Sequence, residues 1–381
     1  MGFMYEFKNV FGTDVKTVSK RLYKGCRVFK AMMEGKDTSS VKMPVRLQIE
    51  VTDRCNFDCI MCNRTTRDTI NRTLNNDIRK RDFLPIVETI NPFYITLNGL
   101  GEPLINKEIG AIIDVCRERN ITTNMPCNLS FAKVLNTQIV QSPPNIITFS
   151  VHGASKEVFN TISKNAQFDA CMAALRDFMA HRNKKQTEVR ILCALQAKNL
   201  LEYKNMYALL KDVNLLDDFY LLPVYDYGFD ADESRRIIPT DEEKAKAIEQ
   251  IEKDMRLCTD EKEKRFYSRW KTTIGHIKKN SAAIEKKSGK PCLIPWYSTY
   301  IAANGNVMPC CYLADEYYIM GNVLQQSFDQ IWNNSQYRNF RKMLRENRKD
   351  LHGCNYCNMD DSSRIKKYGF LFRNSSMWKS C

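Results

Sequence analysis

Residues Glu50 to Thr65 read EVTDRCNFDCIMCNRT and set Cys55, Cys59 and Cys62 in a CxxxCxxC spacing. Just upstream, Val45, Leu47, Ile49 and Val51 alternate with polar residues, which predicts a half-buried strand over 45–51. Three thiols are thus delivered to one loop at a strand's C-terminal end. An iron-sulfur cube with four irons normally takes four thiolates, so a loop that offers three leaves one iron open to an exchangeable ligand. A zinc knuckle and three buried structural thiols are the alternatives, although zinc loops usually supply cysteines in CxxC pairs.

From Val45 to about Tyr227 apolar segments alternate with helical ones. The predicted strands are 45–51, 93–98, 121–125, 145–150, 188–195 and 218–224, and the predicted helices lie near 76–90, 107–119, 130–140, 167–183 and 200–214. Strand, helix, strand in repetition predicts an α/β chain with a parallel sheet, whose ligands collect at the C-terminal strand ends.

The cysteine loop resembles the signature of the radical S-adenosylmethionine (SAM) enzymes. In that family the open iron chelates the amino and carboxylate groups of SAM. Reductive cleavage then gives methionine and a 5′-deoxyadenosyl radical that removes a hydrogen atom from the substrate. Asn56 and Phe57 are common family choices, and Met61 is an apolar replacement for the usual aromatic. The resemblance implies a partial (β/α)6 barrel, a SAM-binding 4Fe-4S cluster held by Cys55, Cys59 and Cys62, and SAM itself.

Further motifs follow the later strands. Asn98-Gly-Leu-Gly-Glu102-Pro103 is similar to the family's glycine-glutamate-proline motif, with Leu100 in place of a glycine. Gly99, Gly101 and Glu102 are therefore expected at the SAM amino group. Asn124 in Thr123-Asn124-Met125, Ser150 at the end of the fourth strand and Gln196 after the fifth are expected as further SAM contacts by position. A hydroxyl or amide at a strand end also commonly satisfies loop backbone. His152, Tyr225, Asp226 and Cys127 are the candidates for acting on the substrate. Tyr225 and Asp226 belong with Tyr227 and Asp230 to a polar aromatic mouth. His152 reads equally as a structural histidine, and Cys127 as a small buried hydrophobe or a hydrogen-atom donor.

A second constellation begins at Cys292 and continues through Gly305, Cys310, Cys354 and Cys357. Four thiolates gathered by a short hairpin and a returning helix can saturate a second cube. This region looks like the single-cluster "twitch" version of the SPASM extension, with the recurring segments Gly321-Asn-Val323 and Ile331-Trp-Asn333. The resemblance implies an auxiliary 4Fe-4S cluster on Cys292, Cys310, Cys354 and Cys357, with Cys311 as the alternative to Cys310. A zinc ribbon is the other reading of the CxxC.

The resulting division is an N-terminal helical extension at 1–44, the radical SAM core at 45–235, a helical connector at 236–288, a smaller α+β cluster domain at 289–360 and a basic aromatic tail at 361–381. In the extension, Val15, Val18, Leu22, Cys26, Phe29 and Met33 line one helical face behind Thr13 and Asp14. The connector opens on Thr240 before Asp241, Glu242 and Glu243, which reads as a helix start.

Fifteen cysteines without a secretory leader point to reduced thiols and metal in a low-oxygen cytoplasm. Four histidines argue against His-based catalysis, and no apolar run approaches the ~18 residues of a membrane span. A formal charge of +14 suits an anionic partner: nucleic acid, a phosphorylated substrate or an acidic flavodoxin- or ferredoxin-type reductant would all qualify, and no nucleic-acid fold signature accompanies the charge.

The resemblance implies an oxidoreductase of dehydrogenase type acting on a small polar molecule, a sugar or aminocyclitol, with the auxiliary cluster accepting an electron. A ribosomal-peptide maturase is the second reading, and a non-catalytic iron-sulfur carrier the third. The GLGEP segment argues against the carrier, which needs no SAM site.

Overall fold

The computed structural model describes residues 43–66, 75–224, 236–277, 292–314, 316–355 and 357. The expected N-terminal helix, Tyr225, Asp226, Tyr227, Asp230 and the 361–381 tail lie outside the described residues. In chain order the strands are β1 (Arg46–Ile49), β2 (Asp58–Cys59), β3 (Tyr94–Leu97), β4 (Thr122–Cys127), β5 (Ile146–Ser150), β6 (Ser163–Lys164), β7 (Glu188–Leu195), β8 (Phe219–Pro223), β9 (Ser298–Ile301), β10 (Asn306–Met308) and β11 (Gly321–Asn322). The principal helices are α1 (Lys80–Ile90), α2 (Ile109–Glu118), α3 (Lys156–Ile162), α4 (Phe168–His181), α5 (Tyr203–Asp212), α6 (Asp241–Leu257), α7 (Glu261–Gly275), α8 (Phe328–Trp332) and α9 (Ser335–Glu346). The described residues divide into two compact units, one of 43–54, 75–124 and 292–357, the other of 55–66, 125–224 and 236–277.

In the first unit β3 is buried along its whole length, as expected for a strand covered on both faces. It pairs in parallel with β1 and β4, and β1 pairs in parallel on its other edge with β9. The strand at 298–301 therefore shares a sheet with the strand that leads to the first cysteine loop. Antiparallel β10 and β11 extend it outward. Gly305, at φ +85°, makes the β9–β10 turn, and a side chain there would strike Leu324. Helix α9 is held on this hairpin by Tyr337, whose hydroxyl lies 2.8 Å from Thr299 Oγ1. Arg341, fully buried, donates from Nε to the Pro295 carbonyl at 2.9 Å and lies over the Trp332 and Tyr337 rings.

In the second unit β5, β7 and β8 run parallel, with Phe149 of β5 packed edge-on against Phe178 of α4. Helices α6 and α7 start as their sequences announce. Thr240 Oγ1 accepts from the Glu243 N–H at 3.1 Å, and Glu243 returns to the Thr240 N–H at 2.7 Å. Both carry more than a solvated charged face. Trp270 is fully buried and donates to the Leu200 carbonyl at 2.9 Å, with Phe266 stacked on Phe219 of β8.

The helix predicted near 130–140 is present but not a regular α-helix. A single turn at Ala132–Val134 runs into a wide π turn at Leu135–Ile139. Thr137 Oγ1 donates back to the Lys133 carbonyl at 2.7 Å, a side-chain bond of the kind that bends helices. Helix α3 was not expected from the sequence pattern. No helix among the described residues is long and apolar enough to cross a membrane.

Candidate functional site

In the second unit the first cysteine loop is pinned from both sides. β2, which contains Cys59, pairs antiparallel with β6, and the Ile60 N–H donates to Ile162 O at 3.0 Å. Phe57 and Ile60 are buried and anchor the loop, while Cys55, Cys59 and Cys62 stay half-buried. Asn56 Oδ1 accepts from Asn128 Nδ2 and Ser130 Oγ, each at 3.1 Å. The Cys59 thiol is pushed up to about 12 by burial and by the neighbouring Cys62, with smaller contributions from Cys55 and Asp58, against a lowering hydrogen bond from Ser163. Left to themselves these neighbouring groups stay neutral thiols; a coordinated metal would deprotonate them outright.

The same unit holds Ser150, half-buried as the last residue of β5, and Cys127, buried at the end of β4. Gln196 follows β7 and is fully buried, and its amide Nε2 has no hydrogen-bond partner among the described residues. A buried amide without a partner is costly, and a polar ligand is one way to satisfy it. The donor set of three thiols and this amide fits a cluster and a polar cofactor.

His152 is engaged by its own scaffold. Its Nδ1 accepts the Ala194 N–H at 3.1 Å and its carbonyl accepts Asn199 Nδ2 at 2.7 Å. Burial lowers its pKa to about 4. Above the unfolded value of about 6.5 neither state holds the proton; below it the unfolded chain takes one up first, so stability is lost as pH falls toward 4. At about pH 5 the loss is roughly 2 kcal/mol. Urea midpoints at about pH 7.5 and pH 5 are expected to fall further apart in the parent than in a His152→Gln variant, and equal pH dependence in the two would contradict this.

In the first unit the GLGEP segment lies against the end of β1. A Cβ on Gly101 would stand 2.1 Å from Thr52 O, and one on Gly99 would stand 2.5 Å from Glu50 Cβ. Both glycines are thus required by the chain's own close approach to itself, whatever ligand the loop meets. Glu102 is buried; its N–H donates to Arg54 O at 2.8 Å and its carboxylate caps the following turn at the Leu104 N–H, 3.0 Å away. Asn124, half-buried in β4, sits opposite Thr96 of β3.

Two residues missed by motif reading hold this loop. Asn106 Nδ2 donates to Val51 O at 2.7 Å and to Ile78 O at 2.9 Å. Glu50, fully buried, accepts the Leu100 N–H at 2.6 Å on one oxygen and the Ala303 N–H at 3.0 Å on the other. The only sequence signal for Glu50 is a carboxylate interrupting an apolar strand just before the cysteines.

The second cysteine set gathers around Cys310. Its thiol is pushed well up by burial and by Cys311, Cys292, Cys354 and Cys357 around it. Cys292, Cys310, Cys354 and Cys357 are half-buried, whereas Cys311 is exposed and begins a separate 3₁₀ turn. The spacing from Gly305 to Cys310 is the length of β10 plus Pro309, so the hairpin fixes where Cys310 emerges. Asn322 braces the hairpin through Asn304 O and Asn306 Oδ1, at 3.0 and 2.9 Å. Asn333 accepts from Arg341 at 3.2 Å. The GNV and IWN segments are thus scaffold.

No group of three His, Cys, Asp or Glu side chains among the described residues converges tightly enough for a single metal ion. A cube binds its thiolates on separate irons and does not require that convergence.

Residues 292–358 match the SPASM family of iron-sulfur cluster-binding domains. The chain is 31% identical over 88 residues to the S-adenosyl-L-methionine-dependent 2-deoxy-scyllo-inosamine dehydrogenase of Niallia circulans, which covers 22% of this chain and 34% of the relative. The match thus spans about a third of that enzyme's length. In fold it is similar to Streptococcus suis SuiB bound to precursor peptide SuiA, with TM-score 0.57 and 13% identity over 92% of this chain and 78% of that one. It is similar also to anSMEcpe with bound AdoMet, with TM-score 0.55 and 15% identity over 82% and 88%. These likenesses show a mixed α/β fold with a mostly parallel central sheet.

Proposed function

We propose that this chain, whose residues 292–358 match the SPASM iron-sulfur cluster-binding domain, is a radical SAM enzyme, and specifically a dehydrogenase oxidising a hydroxyl-bearing carbon of a small polar substrate of the sugar or aminocyclitol type. The observation that supports this reading is the second thiol set, in which the half-buried Cys310 has Cys292, Cys354 and Cys357, with Cys311, around it. Four thiolates can close a cube completely, which suits a second cluster to electron transfer and not to SAM binding. The partial likeness to a SAM-dependent dehydrogenase supports the same reaction class.

In this reading Cys55, Cys59 and Cys62 hold the SAM-binding 4Fe-4S cluster. Gly99, Gly101, Glu102, Asn124, Ser150 and Gln196 are the SAM contacts that the resemblance implies. When bound, the cofactors would supply hydrogen-atom abstraction and a one-electron acceptor, which with loss of the hydroxyl proton to water would account for converting a carbinol to a carbonyl. The chain's own residues position and desolvate: the β2–β6 bridge fixes the thiol loop, and Glu102 and Asn106 fix the loop after β3. Its surplus of basic residues suits a flavodoxin- or ferredoxin-type reductant in a reducing cytoplasm.

The test is anaerobic. Reconstituted protein, SAM and reductant are offered a panel of polyols, aminocyclitols and sugars, and 5′-deoxyadenosine and carbonyl product are quantified. Stoichiometric formation of both with a polyol is the expected outcome. Stimulation only by a genomically neighbouring peptide would replace this reading with that of a peptide maturase, the ligand class present in the SuiB structure.

A further inference from the structure

In the cluster domain a buried arginine addresses the two cysteines of the CxxC through their backbone. Arg348 is 6% exposed, and it donates from Nε to the Cys354 carbonyl at 3.3 Å and from a terminal nitrogen to the Cys357 carbonyl at 3.0 Å. The fork geometry of a guanidinium suits two acceptors a fixed distance apart, which an ammonium cannot match. Between the two cysteines the loop is held by the Cys357 N–H on Cys354 O and the Asn355 N–H on Leu351 O. Loop and cation are thus locked together from one short segment, the 3₁₀ turn Arg348–Asp350 and the residues after it.

We propose that Arg348 is a positioning residue for the auxiliary cluster: it fixes the Cys354–Cys357 loop and supplies a positive charge that favours the cluster's reduced state, the one formed when it accepts an electron. The inference rests on the reading that Cys292, Cys310, Cys354 and Cys357 hold a 4Fe-4S cluster. Gaining one electron adds one negative charge to a cube already surrounded by four thiolates, and a fixed cation in a desolvated setting lowers the cost of that charge. The same domain places Arg341 over the Tyr337 ring, and the Tyr337 hydroxyl feels the Cys310 thiolate, so a second buried guanidinium stands in the neighbourhood.

The test uses the full chain carrying Cys55→Ala, Cys59→Ala and Cys62→Ala, so that only the auxiliary site takes iron. Iron is counted and the cluster is titrated with dithionite under mediators, its reduced state read by electron paramagnetic resonance. Arg348→Gln, which keeps a donor but loses the charge, is expected to lower electron affinity on the order of tenfold, or ~59 mV for a one-electron couple. Arg348→Lys is expected to keep the potential near that of the parent while releasing iron faster to a chelator.

An unshifted potential in Arg348→Gln, or an equal drop in both variants, would overturn the proposal. If Arg348→Gln holds no iron, the lysine variant decides, a near-parent potential supporting the charge and a fallen one overturning it. A parent background with no iron at all would sink the auxiliary-cluster reading itself, a result distinct from any shift among the Arg348 variants.

Discussion

Replacing Cys55, Cys59 and Cys62 together by alanine is expected to cut the iron of anaerobically reconstituted protein from about eight to about four per chain and to abolish dithionite-dependent SAM cleavage. The three thiols sit in one loop, and the Cys59 thiol is raised by burial and by its neighbours Cys62 and Cys55, so they lie within electrostatic reach of one another. Removing them takes away the proposed ligand set and leaves the fold's anchors in place, because Phe57, Ile60 and the β2–β6 bridge hold the loop independently of the thiols. Cys310→Ala is expected to remove the other half of the iron and to leave SAM cleavage without substrate intact. Cys311→Ala is expected to remove none, since Cys311 is exposed as a residue and starts a separate turn; because its thiol also lies near Cys310 and Cys357, a loss of iron in this variant would move the ligand role to Cys311. A parent that binds only about four irons, all lost in the triple variant, would mean that the C-terminal thiols carry no cube. The two-electron oxidation would then lack its acceptor.

What could be read from the sequence was whatever has a short period or a fixed spacing. The strand predicted at 145–150 appears as Ile146–Ser150 and the one at 188–195 as Glu188–Leu195, because short runs dominated by β-branched and apolar residues have few alternatives to a covered parallel strand. The capping of α6 was legible because Thr240 and Glu243 satisfy each other's backbone within four residues. Long-range choices were not legible. Nothing in Ser298–Ile301 announces a parallel partner about 250 residues earlier, yet the register runs from Arg46 opposite Ser298 to Ile49 opposite Ile301. The aromatic face of α7 was hidden by its charge, since Trp270 stands between Arg269 and Lys271 and is buried by helix geometry alone. At the candidate site, spacing revealed the thiols because ligands must recur at fixed offsets. Residues that act on backbone atoms of distant segments, such as Glu50, Asn106 and Arg348, have no local pattern to betray them.

Glu50 carries the second large expected effect. A carboxylate taken fully out of water is costly unless donors surround it, and here backbone N–H groups from two segments about 200 residues apart do so, Leu100 on one oxygen and Ala303 on the other. Glu50→Ala strands both donors in a dry interior, for a loss of roughly 2–6 kcal/mol measured by urea unfolding of the unreconstituted protein. Glu50→Gln is the more informative change, because its amide keeps one acceptor but turns an NH₂ toward a second N–H donor. One of the two tethers must then open. If it is Leu100, the glycine-rich loop after β3 loosens and SAM affinity, read by calorimetry on the reconstituted protein, falls together with stability. If it is Ala303, the β9–β10 hairpin loosens, and iron is lost from the Cys310 site while SAM binding persists. A Glu50→Gln protein with parental stability, SAM affinity and iron content would show that neither segment depends on the carboxylate.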